Sequence, residues 1–498
     1  MEDTTSQATP QPSKPDEFMT VAAQTRLPVP EKASARLTWS ANGETLDYVG
    51  TAGHIDVRTD TGALIGKMFS VGYAVCSADG ASDATRPVTF CYNGGPGSSS
   101  VPINMGGIGP RRVVTDGVEH IAAPFQVEDN PGTLLPMTDL VFLDALGTGY
   151  SAIAEGADTR KVWSIDGDAE AFARAIIAWL DENDRWSSPV YLFGESYGTI
   201  RNAVLMRLLG EKRVQLAGVV MLSALFDTVQ TLPGEDLYYL GMLPTYAAAA
   251  QFFGRAGKGV DEDEWFDRAM AFTEDVYAPA LLRGDRLAQR DRTSVAKKMA
   301  KLIGVDAGFI ARRNLRIDLD AFRRELLADE GRVIGRLDMR FSSDAPADIQ
   351  GSDFFMSEDA ASDAAESAWT TAFRDHLRHD IGYRGAPVYL PNNYGQVGGS
   401  WDWSHNVPGY GEVSMPNVAL DIATAMRRNP TMRVAIIGGR FDAATTYWNV
   451  EHDISCQFLS PELRSRVEFF RYGCGHMAYT DVPTLHAMAA DMREFYAK

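Results

Sequence analysis

Cysteine is scarce: only Cys76, Cys91, Cys456 and Cys474 occur in 498 residues. So few thiols exclude a disulfide-stapled scaffold, although a bridge between two of them stays open. Positive charge is also short. Asp and Glu number 66 against 47 Lys and Arg, a formal net charge of −19. A surface of that sign repels phosphate backbones, so no nucleic-acid partner is expected, and solubility alone accounts for the excess. No apolar run reaches the roughly 18 residues that mark a membrane-spanning helix, so no membrane partner is expected either. The N-terminal MEDTTSQATPQPSKPDEF has neither the basic nor the apolar region of a signal peptide. As written, the chain is expected in the cytoplasm, or in the periplasm or secreted if a leader has been removed. Asn-x-Ser/Thr acceptors with a permitted middle residue are missing as well, consistent with a non-glycosylated setting.

The length suits one large domain with an insertion, or two domains. Residues 1–34 are rich in Pro, Ser, Thr and Gln and read as a disordered tail. Short alternating segments such as Leu46–Val49 and Met68–Val71 then predict antiparallel strands, joined by turns at Asn42-Gly43 and Asp60-Thr61-Gly62. Apolar strands and helical patterns alternate after that: Pro87–Tyr92, Leu140–Leu143, a helix over 168–181, Val190–Phe193, a helix over Ile200–Leu209, and Gly218–Leu222. This alternation predicts an α/β fold with a mostly parallel central sheet and helices on both faces. Residues 35–227 form the first part of that core. Residues 228–410, rich in Ala, Arg, Asp and Leu at helical spacing, read as a mainly helical cap insertion. Residues 411–498 return to the α/β pattern with strands Arg433–Ile437 and Val467–Arg471.

Gly194-Glu195-Ser196-Tyr197-Gly198 follows one of these strands and opens a helix. A lone Gly-x-Ser-x-Gly is a weak signal, but strand–turn–helix is the setting of a nucleophile elbow. A serine hydroxyl is a poor nucleophile near neutrality, so it needs a base, and the base needs an orienting acid. In an α/β-hydrolase the three follow in the order Ser, Asp or Glu, His, each in a loop after a strand. Of the eight histidines only His476 sits in a Gly-rich turn after a late strand, and Asp442 fits the position between. An isolated Asp or His is usually an ordinary loop residue. Three loops in the required order are far harder to obtain by chance. Asn93–Ser100 (NGGPGSSS) ends another strand. It is either a plain Gly/Pro/Ser turn or an oxyanion-hole loop, whose second donor would be the N–H of Tyr197.

Five blocks together resemble the serine carboxypeptidase family: Asn93–Ser100, Asp144–Ser151 (DALGTGYS), Gly194–Gly198 (GESYG), Gly438–Asp442 (GGRFD) and Gly475–Asp481 (GHMAYTD). They span nearly the whole chain except the tail. The resemblance implies an α/β-hydrolase core with a helical cap and release of C-terminal residues from peptide substrates. It implies Ser196 as nucleophile, His476 as general base and acid, and Asp442 as its orienter. It also implies Gly95 and Tyr197 as oxyanion-hole donors, and Asn93 and Glu195 as binders of the substrate carboxylate. Two positions depart from the usual eukaryotic pattern, Cys91 for Trp and Gly107 for Glu.

The triad and two backbone donors need no metal or other cofactor, and none is expected. His376 and His379 read as a solvated helix face, Cys91 and Cys474 as small packing residues, and Arg312, Arg313, Arg323 and Arg324 as surface charges. A serine-carboxypeptidase-like acyltransferase or esterase is the alternative on the same scaffold. A non-catalytic binding or stabilising protein is the reading from a different class, but a scaffold has no need to keep all three triad residues. The sequence carries no reading of oligomeric state.

Overall fold

The computed structural model describes residues 31–80, 82–115, 117–118, 120–344, 359–385 and 388–498. Residues 1–30 of the expected tail lie outside them, and its last two residues already belong to the first strand. Asn42 and Gly43 take φ values of 55° and 77°, the left-handed pair that a two-residue hairpin turn requires. They join β1 (Ala33–Ala41) to β2 (Glu44–Arg58) in an antiparallel ladder with Ala41 opposite Glu44. Gly62, at φ 88°, turns the chain into β3 (Leu64–Val75), again antiparallel.

The remaining principal strands are β4 (Val88–Tyr92), β5 (Asp139–Leu143), β6 (Val190–Glu195), β7 (Leu216–Leu222), β8 (Arg433–Gly439) and β9 (Val467–Tyr472). In space they run β1-β2-β3-β5-β4-β6-β7-β8-β9, and Ala152–Ile153 adds a short antiparallel pairing to β3. β3 meets β5 antiparallel, and every pairing from β5 to β9 is parallel. All residues of β4, β5 and β6 are buried. That is the condition of a parallel strand covered on both faces, and it is why these strands read as unbroken apolar runs. After β4 the chain places β5 on one side and β6 on the other. The order reverses at the β4/β6 boundary, and the C-terminal ends of these two strands therefore frame a crevice at a switch point.

Two apolar layers cover the sheet. On one face α1 (Ile165–Glu182) and α2 (Tyr197–Glu211) bring Phe172, Ile176 and Leu205 against Phe90, Leu192 and Val219. On the other, Trp369 and Met488 pack with Phe142, Phe193 and Val220. A third core lies apart from the sheet. In it α3 (Asp236–Phe252), α4 (Glu262–Phe272) and α5 (Gln289–Ile303) gather Tyr246, Phe266, Met299 and Phe322 around Phe441 and Tyr447.

The stretch 228–410 thus divides in two. Its first part builds this separate helical layer. α6 (Ala360–Asp375), which carries Trp369, packs instead on the sheet, because its apolar stripe of Ala361, Ala365, Ala368 and Ala372 is small enough to approach the strands closely. α7 (Ala419–Arg428), α8 (Tyr447–Ser455) and α9 (Val482–Ala497) complete the fold.

Two surface expectations are overturned. His376 is buried and is held by the Tyr73 hydroxyl at 3.1 Å and Asp380 at 2.7 Å, so only His379 lies on the solvated side. Arg323 is buried too. Its Nε donates to the carbonyl of Ile334 at 2.7 Å, and Asp320 and Asp359 face its guanidinium. In both cases a local carboxylate (Asp380 or Asp320) and partners distant in sequence together supply the compensation that burying a charged or polar group demands. All four cysteines are free thiols, with Cys91 and Cys474 fully buried. Among the described residues no helix is long and apolar enough to cross a membrane.

Candidate active site

β6 ends at Glu195, and α2 begins at Tyr197. Between them Ser196 takes φ 60° and ψ −128°, a region that non-glycine residues adopt only when their surroundings enforce it. Two contacts enforce it here: the Ser196 N–H donates to the Leu222 carbonyl at 3.0 Å, and the Thr199 hydroxyl donates to the Ser196 carbonyl at 2.7 Å. The flanking glycines are needed for packing. A β-carbon on Gly194 would stand 2.3 Å from the Gly198 carbonyl oxygen. The elbow thus lifts a half-buried Ser196 above the sheet, at the switch point.

The loop after β4 presses against this turn. A β-carbon on Gly94 would lie 2.4 Å from the Tyr197 nitrogen, and Gly95 holds φ 106°. The first N–H groups of a helix have no intrahelical acceptor, so the Tyr197 N–H is available beside the Gly95 backbone. Buried ions fix the loop. Asp144 accepts from the Ser100 N–H and hydroxyl, both at 2.8 Å, and from the Tyr389 hydroxyl at 2.9 Å. Arg201 donates to the Asn93 carbonyl at 2.9 Å and to Asp168 at 2.6 Å.

Asp442 and His476 sit in the loops after β8 and β9 and come together, His476 Nδ1 to Asp442 Oδ2 being 2.8 Å. Asp442 is fully buried. Its Oδ1 accepts from the N–H groups of Ala444 (2.8 Å) and Thr445 (3.0 Å), and its Oδ2 also accepts from the Thr445 hydroxyl at 2.7 Å. Backbone contacts hold the histidine: its N–H donates to the Leu337 carbonyl at 2.6 Å, and its own carbonyl accepts from the Ser223 hydroxyl at 2.5 Å. Burial alone would depress the imidazole pKa, but the charge and hydrogen bond of Asp442 outweigh it, and the net shift is upward. Among the described residues no hydrogen bond joins Ser196 to His476. Both line the same two cavities, and such contacts often close only when substrate is present.

Those cavities flank the serine. One, of about 620 Å³, is walled by Phe226, Tyr238, Tyr239, Met242 and Leu319, largely from the separate helical layer. The other, of about 750 Å³, contains Asn93, Gly95, Glu195 and Glu366. Asn93 Oδ1 is occupied by the Ile103 N–H at 3.0 Å, and the Asn93 side chain hydrogen-bonds Glu195. Glu195 also accepts from the Tyr479 hydroxyl at 3.0 Å. Burial pushes the Glu195 carboxyl up to about 7, against the lowering influence of His476, Tyr479 and Asn93. Gly107 leaves room for the ring of Tyr479, since a β-carbon there would lie 3.1 Å from it. A Glu at position 107 would have to displace that ring. Among the described residues no group of three or more His, Cys, Asp or Glu is placed to hold a metal ion.

A strained serine on a strand–turn–helix elbow, in a mostly parallel sheet with Asp and His loops after later strands, defines an α/β-hydrolase. The model of the family described as serine carboxypeptidase matches residues 44–243. The chain is 31% identical over 169 residues to serine carboxypeptidase-like 50 of Arabidopsis thaliana, a match covering 32% of this chain and only 35% of that relative. Kex1(delta)p, a prohormone-processing carboxypeptidase from Saccharomyces cerevisiae, superposes with a TM-score of 0.51 at 13% identity, covering 96% of this chain and 93% of that one, and shares the fold. Residues 44–243 are thus similar to serine carboxypeptidases in sequence, and the chain spans about a third of the length of the curated relative it matches.

Five residues around this candidate site were not singled out from the sequence: Asp144 and Arg201 behind the Asn93–Ser100 loop, Thr445 beside Asp442, Tyr479 on Glu195, and Arg336 in the wall of both cavities. Asp144 and Tyr479 do lie inside the matching blocks, which was the available signal. Arg336 sits in no motif.

Proposed function

We propose that the protein is a serine-type carboxypeptidase that removes C-terminal residues from peptides through an acyl-enzyme on Ser196. The observation that carries this reading is the shared cavity. Asn93 and Glu195, the pair implied to hold a chain-terminal carboxylate, line the same space as Ser196 and His476. A substrate anchored there by its end presents its last peptide bond to the serine. Ser196 Oγ attacks that carbonyl as His476 Nε2 takes its proton, while Asp442 holds the Nδ1 proton and stabilises the imidazolium. The Gly95 and Tyr197 N–H groups receive the oxyanion. His476 then protonates the departing amine, and water, activated by the same imidazole, releases the acyl group. The separate helical layer built by the first part of 228–410 acts as the cap, a role supported by Tyr238, Met242 and Leu319 in the wall of the adjoining cavity.

The test is a panel of N-blocked dipeptides with free and amidated C termini. Free acids should be cleaved with the higher kcat/KM by on the order of 10-fold or more, since a buried polar site left unsatisfied costs roughly 1–3 kcal/mol. Equal cleavage of both would favour the esterase or acyltransferase reading, which the absence of a second carboxyl at Gly107 also motivates.

Glu195 sets a pH expectation. Below about 7 its carboxyl is protonated and can donate to a substrate carboxylate. Above that it ionises and repels one. His476 must be neutral to act as base, so it governs the acid limb. The kcat/KM profile on free-acid substrates should therefore be bell-shaped. Glu195→Gln should remove the alkaline limb. An unchanged profile, measured as kcat/KM from pH 4 to 9, would rule out this role.

A further inference from the structure

The acyl-enzyme and the carboxylate pair leave one charged group at the reacting centre without a task. Arg336 lines both cavities that meet at Ser196 and His476, and among the described residues it is the only Lys or Arg in either wall. It is half-buried, and among the described residues its guanidinium has no hydrogen bond or ion pair. An arginine is normally paired when it is taken partly out of water, because its five donors need acceptors.

The backbone around it is not free to drift. The Arg336 N–H donates to Asp359 Oδ2 at 2.6 Å, with the Leu337 N–H on the same oxygen at 3.3 Å. The Arg336 carbonyl accepts from the Ala443 N–H at 3.1 Å, one residue past the triad acid, and the Leu337 carbonyl accepts from the His476 N–H at 2.6 Å. The short segment after Arg332–Ile334 is thus fastened to the loops of both Asp442 and His476, and the Arg336 side chain is carried into the crevice they frame.

The rest of the Asn93 cavity is acidic, with Glu195, Asp359, Asp363 and Glu366 in its wall. Asp359 is already engaged by backbone N–H groups and Arg323, and Glu366 by Asn392. A carboxylate entering this cavity meets the acidic side chains of Asp359, Asp363 and Glu366, besides Glu195, which accommodates it only when protonated. With Gly107 and the Tyr479 ring in the place of a second carboxyl, it would have Asn93 and Glu195 alone.

We propose that Arg336 is the cation that receives the substrate's terminal carboxylate, its planar fork completing the site that Asn93 and Glu195 begin. This rests on the carboxypeptidase reading and adds a residue to it. A guanidinium fits a carboxylate through two parallel N–H···O bonds, which an ammonium does not reproduce. The role is one of substrate binding and specificity.

The experiment compares wild type, Arg336→Gln and Arg336→Lys on the same N-blocked dipeptides, free and amidated, with a third set carrying Glu before the scissile bond. Thermal unfolding of each variant accompanies the kinetics. In Arg336→Gln the ratio of kcat/KM on free to amidated substrate should fall on the order of 10- to 100-fold, mostly through KM, as expected for losing hydrogen bonds to a charged group. Arg336→Lys should fall between wild type and Gln. If wild type prefers free acids and Arg336→Gln keeps that preference undiminished, the inference fails while the carboxypeptidase reading stands. If wild type shows no preference, both fail. An equal loss on free and amidated substrates would make Arg336 a scaffold residue. Loss confined to the Glu-containing set would assign it to the side chain before the scissile bond. Either result overturns the proposal.

Discussion

Ser196→Ala should lower kcat on peptide substrates by roughly three to six orders of magnitude, because the nucleophile is one member of a unit whose parts fail together. The fold should survive it. Ser196 is half-buried, among the described residues its hydroxyl makes no hydrogen bond, and the contacts that impose its backbone conformation run through its N–H and carbonyl, which alanine keeps. The unfolding free energy should change by no more than a surface substitution would shift it, about 0.5 kcal/mol in either direction. Labelling by a fluorophosphonate should vanish. Retained turnover would send the assignment to another hydroxyl, and the nearby serines are poorly suited. Ser98 is engaged by Asn392 and Tyr394, Ser99 is fully buried, and Ser100 donates to Asp144. Each would have to break a buried contact or cross the oxyanion loop to reach a substrate.

How far the sequence disclosed this site depends on what each residue leans on. Ser196 was legible because its chemistry needs a local device, glycines on either side of a turn between a strand and a helix, and that device leaves a mark within five residues. Asp442 and His476 were legible through order along the chain, since parallel strands present successive loops at one edge of the sheet. The strands themselves were legible wherever both faces are buried, as in β4 to β8, and the Asn42-Gly43 hairpin announced itself by composition. Arg336 left no mark. Its place is set by its own hydrogen bonds to Asp359 and Ala443 and by that of the neighbouring Leu337 to His476, more than 20 residues away at the nearest, and nothing periodic in Gly335-Arg336-Leu337 encodes them. His376 and Arg323 misled for the same reason. Spacing shows which residues share a helix face, but whether that face meets water depends on Tyr73 and Asp380 in one case and on Ile334 and Asp359 in the other. The division of 228–410 escaped too, because an Ala-rich stripe reads alike whether it packs on a sheet or on other helices.

The other large effect belongs to Asp442→Asn, where the hydrogen-bond directions make the outcome specific. Oδ1 is fixed as an acceptor by the N–H groups of Ala444 and Thr445. An asparagine must therefore place its carbonyl oxygen there and turn its NH2 toward Thr445 Oγ1 and His476 Nδ1, the partners of Oδ2. The threonine can adapt, because its hydroxyl is also 3.0 Å from the Ser223 carbonyl and can donate there while accepting from the amide. The histidine adapts only by moving its proton from Nδ1 to Nε2. That puts a donor where the serine needs an acceptor, so the base is held in the wrong tautomer and the negative charge that would steady the imidazolium is gone. The expected result is a fall in kcat of roughly 10³- to 10⁴-fold near neutral pH with the fold intact. KM should change little, since Asp442 touches neither cavity wall, and fluorophosphonate labelling should slow by a comparable factor without disappearing. Because the loss of Asp442 also removes the main influence that raises His476, any residual activity should extend to lower pH than in the wild type. Full turnover in the asparagine variant would mean that His476 takes its orientation from elsewhere, with Thr445 Oγ1, 3.2 Å from Nδ1, as the group to replace next.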